Sequence, residues 1–210
     1  ILGERGTEVV LEVRRGSEPD EGTPMRVRIR RDEVERELVH GWRQLGPGPN
    51  GRPLWDWVVD PELGIAYVGI REFTEDTDRR FRRAMLEADR ELSVTPRFAS
   101  QVEGLILDLR NNRGGRRDST ERLLDLFIST GSLFETVDGA DRTKDRTPAS
   151  ARTTRLRGMP VVVLIDEQSA SAAEILAGTL QARADAIVVG ERSYGKGSVQ
   201  AVLPQPDGFL

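Results

Sequence analysis

The chain has 210 residues, 37% of them apolar, enough for one substantial core or a core plus part of a second module. Its 31 basic and 35 acidic side chains are interspersed and leave a formal charge of −4, so neither a nucleic-acid footprint nor a polybasic membrane patch is expected. The lack of cysteine excludes thiol nucleophiles, disulfides and cysteine-ligated zinc, and a Ser-His-Asp triad would have to rest on the single histidine, His40; no metal or cofactor is expected.

Val9, Leu11 and Val13 alternate with other residues over 7–14, as do Met25, Val27 and Ile29 over 25–30. This period of two predicts two half-buried antiparallel strands joined by a loop at 16–23, part of a small β-rich module over 1–38. His40 reads as a half-exposed linker residue. Glycine and proline crowd 41–53, so 39–61 is expected to be a linker and a first strand, and 62–210 a second domain.

Residues 54–59 and 65–70 read as strands. A helix is predicted over 74–92, with Phe81, Ala84, Met85, Ala88 and Leu92 on one face and Glu75 and Asp76 in its first turn. The apolar run 105–109 predicts a strand buried on both faces, followed by a glycine-rich turn and a helix over 119–128. The polar stretch 138–158 reads as a loop, 160–165 as another buried strand, 170–181 as a helix, and 186–189 and 198–203 as strands. Strands interleaved with helices at this spacing imply an α/β fold with parallel pairing through right-handed crossovers. The chain begins at Ile1 rather than methionine and stops at Leu210 in a strand-like segment, so it is expected to be a piece of something longer. No run approaches the ~20 apolar residues that span a bilayer.

Of 31 basic residues only Lys144 and Lys196 are lysine. Arginine stays protonated in proteins, whereas a buried lysine can be driven to its neutral form and act as a base. Twenty-five residues before Lys196 lies Ser171, on a strand-to-helix turn where backbone N–H groups converge and favour a developing oxyanion. Ser169 reads as the helix cap and Ser171, two residues further in, as the nucleophile; Ala172 follows it and offers its N–H to the oxyanion. Gln200 shares a strand face with Lys196 if the chain is extended there, and its amide oxygen is suited to orient the amine without fixing a cation. Gly114 and Gly115 follow another strand end, where sites collect in open α/β sheets. A rival reading is a phosphate loop at 190–197, which nearly matches GxxxxGK[ST]; Gly197 stands where the magnesium-binding hydroxyl belongs, and a strand-like segment follows where a helix is needed.

Three motifs in order now acquire a common meaning: Leu107-Asp108-Leu109-Arg110-Asn111-Asn112-Arg113-Gly114-Gly115, then Ser169-Ala170-Ser171-Ala172-Ala173-Glu174-Ile175, then Gly195-Lys196-Gly197-Ser198-Val199-Gln200. Together they resemble the C-terminal processing peptidases, or tail-specific proteases. Tyr67-Val68-Gly69-Ile70-Arg71-Glu72-Phe73-Thr74 is similar to the start of that family's catalytic domain, and Gly6 to Arg14 with Val27 to Asp32 resembles the C-terminal half of the PDZ domain preceding it. The resemblance implies a crotonase-like (ClpP/crotonase) core of ββα units behind a partial PDZ module, and a serine endopeptidase that works through an acyl-enzyme. It makes Ser171 the nucleophile, Lys196 the general base, Gln200 the residue that positions the lysine, and Gly115 and Ala172 the oxyanion donors. It implies unfolded or tail-bearing protein substrates and an extracytoplasmic location, with any membrane association through segments outside this chain. Two departures stand out: Arg113 replaces the family's proline, and Asp166-Glu167 puts charge just before the serine. A catalytically silent peptide-binding scaffold of the same fold is the alternative.

Overall fold

The computed structural model describes residues 3–14, 24–32, 36–48, 51–94, 101–138, 140, 143–150, 156–198, 204–205 and 208–209. The chain forms two units, Ile1–Glu37 and Leu38–Leu210. In the first, β1 (Glu8–Val13) pairs antiparallel with β2 (Met25–Arg30). Val9, Leu11 and Val13 turn to the half-buried face as the alternation predicts. The register sets Glu8 opposite Arg30 and Glu12 opposite Arg26, so opposite charges face each other across the strands.

The second unit contains a sheet in the order β12-β11-β8-β7-β3. β7 (Ile65–Ile70), β8 (Gly104–Asp108), β11 (Val161–Ile165) and β12 (Ile187–Gly190) run parallel. On the other edge of β7, β3 (Val39–His40) and β6 (Val58–Asp60) pair antiparallel. The result is a mixed α/β fold around a mainly parallel sheet. Alternate strand residues (Ala66, Val68, Ile70, Leu105, Leu107, Val161 and Val163) join one core with Phe81, Ala88 and Leu92 of α1 (Thr77–Ser93), Leu123 and Leu124 of α2 (Arg117–Leu124) and Leu176 and Leu180 of α3 (Ala172–Arg183). Each such fully buried Leu or Phe contributes about 1.5–3 kcal/mol.

Several boundaries differ from the sequence expectation. The stretch 39–61, read as linker and first strand, supplies four strands to this unit: β3, β4 (Arg43–Pro47), β5 (Pro53–Asp56) and β6, with β4 and β5 forming a hairpin. The expected strand over 54–59 breaks at Trp57, whose backbone N–H donates to Glu91 at 3.2 Å and whose indole donates to Glu87 at 3.1 Å, both on α1. Helix α1 starts at Thr77 rather than 74, because the Thr74 N–H donates to Thr77 Oγ1 at 2.8 Å and ties off a turn ahead of it. Helix α2 ends at Leu124 rather than 128; the Leu126 and Phe127 N–H groups each bond three residues back, tightening the chain out of the helix.

The region 138–158 is not simply a loop, since β9 (Ser132–Val137) pairs antiparallel with β10 (Thr143–Pro148). This hairpin shows no apolar alternation because a distant cation helps hold it: Arg117 of α2 reaches Asp145 at 3.2 Å while its guanidinium lies 5.2 Å from the Phe134 ring centre. β11 is buried on one face only, Val162 and Leu164 being half-buried where burial on both faces was expected. Of the strand predicted over 198–203, Ser198 is irregular and 199–203 lie outside the described residues; β13 (Pro204–Gln205) pairs with β14 (Gly208–Phe209) beyond it. No described helix is long and apolar enough to cross a membrane.

His40 is a strand residue rather than a linker residue. Its ring packs onto Gly69, where an added Cβ would sit 2.3 Å from the imidazole Cε1, so the glycine is a steric requirement. Burial pulls the His40 pKa below its ordinary value.

Candidate active site

Because β8, β11 and β12 run parallel, the turns after them lie at one edge of the sheet. After β8, Asp108 is buried and accepts hydrogen bonds from the Tyr67 hydroxyl at 2.5 Å and from Arg110 at 2.7–3.1 Å. Burial alone would raise its pKa, but the Arg110 and Tyr67 bonds outweigh it and hold the carboxyl below its ordinary value. The Tyr67 hydroxyl is pushed up to about 12, by burial first and then by Asp108.

Asn112, fully buried, organises the glycine turn. Its Nδ2 donates to the Ile70 carbonyl and its Oδ1 accepts the Gly114 N–H, both at 2.8 Å; its own carbonyl accepts the Ala170 N–H at 2.9 Å. At Gly114, φ is +100° and a Cβ would lie 2.8 Å from both Ser171 Cβ and the Ala170 carbonyl, so only glycine lets the two turns approach. Phe73 braces the far side, donating to the Gly114 carbonyl at 2.9 Å and accepting the Arg116 N–H at 2.7 Å. The two glycines are thereby distinguished: the Gly114 amide is held by Asn112, whereas the exposed Gly115 amide meets no acceptor among the described residues.

The turn after β11 is built around Asp166. Its carboxylate accepts the N–H groups of Asn111 at 2.9 Å, Gln168 at 3.0 Å and Ser169 at 3.1 Å. Charge before the serine, noted in the sequence as a departure, thus joins the glycine turn to the serine turn. Arg113, the other departure, also crosses between them, donating to Gln168 Oε1 at 3.0 Å. Ser169 is not the helix cap; it is buried, its hydroxyl bonded to the Leu109 carbonyl at 2.8 Å.

Ser171 itself occupies the cap position of α3, half-buried, with φ +56° and ψ −116°. A side chain in that backbone region costs about 1–3 kcal/mol, and such strain clusters at functional sites. Ser171 and Glu174 form a capping box at this sharp strand-to-helix turn. Ala172 begins the helix, and its N–H meets no acceptor among the described residues.

The segment after β12 is docked by its backbone. Gly190 passes so close to the Ile165 carbonyl that a Cβ would lie 2.0 Å from it, and the Tyr194 N–H donates to the Ser169 carbonyl at 3.0 Å. The main anchor is Glu174 on α3. Oε1 accepts the Ser193 hydroxyl and the Gly195 N–H, both at 2.7 Å, while Oε2 accepts the N–H of Ser171 at 2.8 Å and of Lys196 at 2.9 Å. Partial burial would raise the Glu174 pKa; these four donors outweigh it and hold the carboxyl below its ordinary value.

This bears on two of the sequence readings. No helix follows β12 within 191–198, and the anion that the amides of Gly195 and Lys196 collect is the carboxylate of Glu174, so the phosphate-loop reading fails. The Lys196 side chain is exposed rather than buried, because its segment crosses the surface tied by backbone N–H groups. The structure therefore gathers Gly114, Gly115, Ser171, Ala172 and the backbone of Lys196, while His40 is engaged on Gly69; Gln200 lies outside the described residues. Glu174 was within reach of sequence reasoning, standing three residues after Ser171 in the spacing of a capping box. Asn112 and Asp166 carried no comparable signal.

The sequence model of Peptidase family S41 matches residues 64–210. The carboxy-terminal processing protease CtpB of Bacillus subtilis (strain 168) is 30% identical over 208 residues, covering 99% of this chain and 38% of that protein. A probable CtpA-like serine protease of Staphylococcus aureus (strain N315) is 27% identical over 210 residues, all of this chain and 36% of the relative. Among solved structures, a photosystem II D1 C-terminal processing protease superposes with a TM-score of 0.57 at 25% identity, over 99% of this chain and 49% of that one. The chain thus spans well under half the length of the two sequence relatives.

Proposed function

The chain belongs to peptidase family S41, and we propose that it carries the catalytic centre of a serine endopeptidase that cleaves proteins at or near their C-terminal tails. Ser171 is the nucleophile, Lys196 its general base, Gln200 the residue that orients the amine, and the N–H groups of Gly115 and Ala172 the oxyanion donors. The observation that carries this reading is the backbone of Ser171, held at φ +56° between two turns, with Gly115 and Ala172 retaining N–H groups that meet no acceptor among the described residues.

In the reaction, the neutral amine of Lys196 takes the Ser171 proton as Oγ adds to the scissile carbonyl, whose oxygen becomes the oxyanion. Collapse breaks the C–N bond; the lysine passes the proton to the leaving amine, and an acyl-enzyme ester remains. Water then adds with Lys196 again taking a proton, and the ester C–O bond breaks as the lysine returns that proton to Ser171 Oγ, leaving a carboxylic acid and free Ser171.

Residues 1–38 belong, on this reading, to a PDZ module that captures the substrate tail, 62–210 form a crotonase-like core, and the protein works outside the cytoplasm on unfolded or tail-bearing proteins. The test is degradation of an unfolded substrate by the full-length protein. Ser171→Ala and Lys196→Arg are expected to abolish cleavage while the circular-dichroism spectrum is unchanged; substantial activity in Lys196→Arg would sink the dyad.

A further inference from the structure

We propose that Glu174 is a positioning residue for this reaction, holding the nucleophile turn and the lysine segment in one register; the inference rests on the Ser171–Lys196 reading. A capping box pairs the Ser171 side chain with the Glu174 N–H and the Ser171 N–H with the Glu174 side chain, and so asks only one bond of the carboxylate, the one from the Ser171 N–H to Oε2. Three further donors come from 193–196, nineteen or more residues along the chain, so the carboxylate joins two segments rather than finishing one helix. The decisive detail is one atom: Oε2 accepts the backbone N–H of Ser171 and that of Lys196. The two residues assigned to the chemistry are therefore each one hydrogen bond from the same oxygen.

The four bonds use the acceptor capacity of an ionised carboxylate, which offers about four lone-pair sites and no donor. Glutamine in its place brings an NH2 group against the donors on one side and loses that half of the clamp. The Lys196 side chain is exposed and its segment forms no strand or helix over 191–198, so this clamp and the Tyr194–Ser169 bond carry much of its placement. Releasing it leaves Ser171 on its helix cap and the sheet intact, but frees the base to drift from the nucleophile.

The experiment compares the full-length protein with its Glu174→Gln, Ser193→Ala, Ser171→Ala and Lys196→Ala forms, using a fluorogenic unfolded substrate and amide hydrogen exchange. Glu174→Gln is expected to lose about 100-fold in kcat, the scale of an ångström-sized misplacement, with KM within about twofold. Exchange should quicken at the amides of Ser171, Gly195 and Lys196 and stay unchanged at Leu107 and Val163 in the sheet. Ser193→Ala, which removes one donor without touching the backbone, should lose only a few-fold in kcat. Wild-type kcat in Glu174→Gln, or a loss in kcat without faster exchange at those three amides, overturns the proposal. Should Glu174→Gln also lose protection in the sheet, Ser193→Ala decides, wild-type kcat there counting against the clamp and a reduced kcat with an intact sheet for it. Activity surviving in Ser171→Ala or Lys196→Ala would instead defeat the dyad, a result read independently of the Glu174 variants.

Discussion

Two half-buried glutamates of this molecule, Glu174 at the carboxyl edge of the sheet and Glu91 at the end of α1, are shifted in opposite directions. Burial pushes both upward. Around Glu174 four N–H and O–H donors reverse the push and the carboxyl falls below its ordinary range. Glu91 lies against Asp56 beside a cavity of about 330 Å³, with the Trp57 N–H as a backbone donor, and is pushed up to about 7. Asp56 holds Arg43 at 2.5 Å and is the ionised partner. At Glu91 burial and then Asp56 prevail over its backbone donors, whereas at Glu174 the four donors prevail over burial. One corner therefore works as an anion clamp, and the other as a pair of acids sharing a proton.

The largest break in this comparison is expected at Gly114, on the glycine turn beside the clamp. Gly114→Ala places a methyl 2.8 Å from Ser171 Cβ at a φ of +100°, and should cost about 3 kcal/mol in urea unfolding as well as abolishing cleavage. Asp166→Ala strips the acceptor from three N–H groups and should cost about 2 kcal/mol, again with lost activity, because the glycine and serine turns separate.

A pH titration sharpens the contrast. For Glu174, whose pKa is lowered on folding, the stabilisation is complete above the ordinary value of 4.5 and is lost as pH falls through the lower folded value. For Glu91, whose pKa is raised, the stabilisation is complete below 4.5 and is lost as pH rises through about 7. Glu91→Gln, which mimics the protonated form, should therefore raise Tm at pH 8 and leave it unchanged at pH 5. Allowing for the solvent around Glu91, the gain is about 1 kcal/mol, or about 3 °C. The smallest effect belongs to Arg113→Ala: its bond to Gln168 is exposed, and both stability and cleavage should stay near wild type, within about 0.5 kcal/mol by calorimetry.

Periodicity made much of the second unit legible. Strands β8 and β11 follow from short apolar runs, and the inward faces of α1 and α2 from apolar residues repeating every three to four positions. β3 escaped because two residues carry no period, and the β9–β10 hairpin because Arg117 supplies part of what an apolar stripe would otherwise provide. At the site, chemically distinctive side chains were readable: a serine before a helix, a rare lysine, paired glycines. That the Gly114 amide is occupied was not readable in the sequence, since it depends on Asn112 Oδ1 reaching it in the folded turn.

By itself, then, the sequence determined the α/β alternation, the positions of the three turns and the residue types they display, because local periodicity and turn chemistry act over a few neighbours. Only the tertiary structure decided the left-handed backbone of Ser171, the exposure of Lys196 and the carboxylates that bind one turn to the next. Those features join segments up to 55 residues apart, and a hydrogen bond over that distance exists only once the sheet has brought the ends of its strands together.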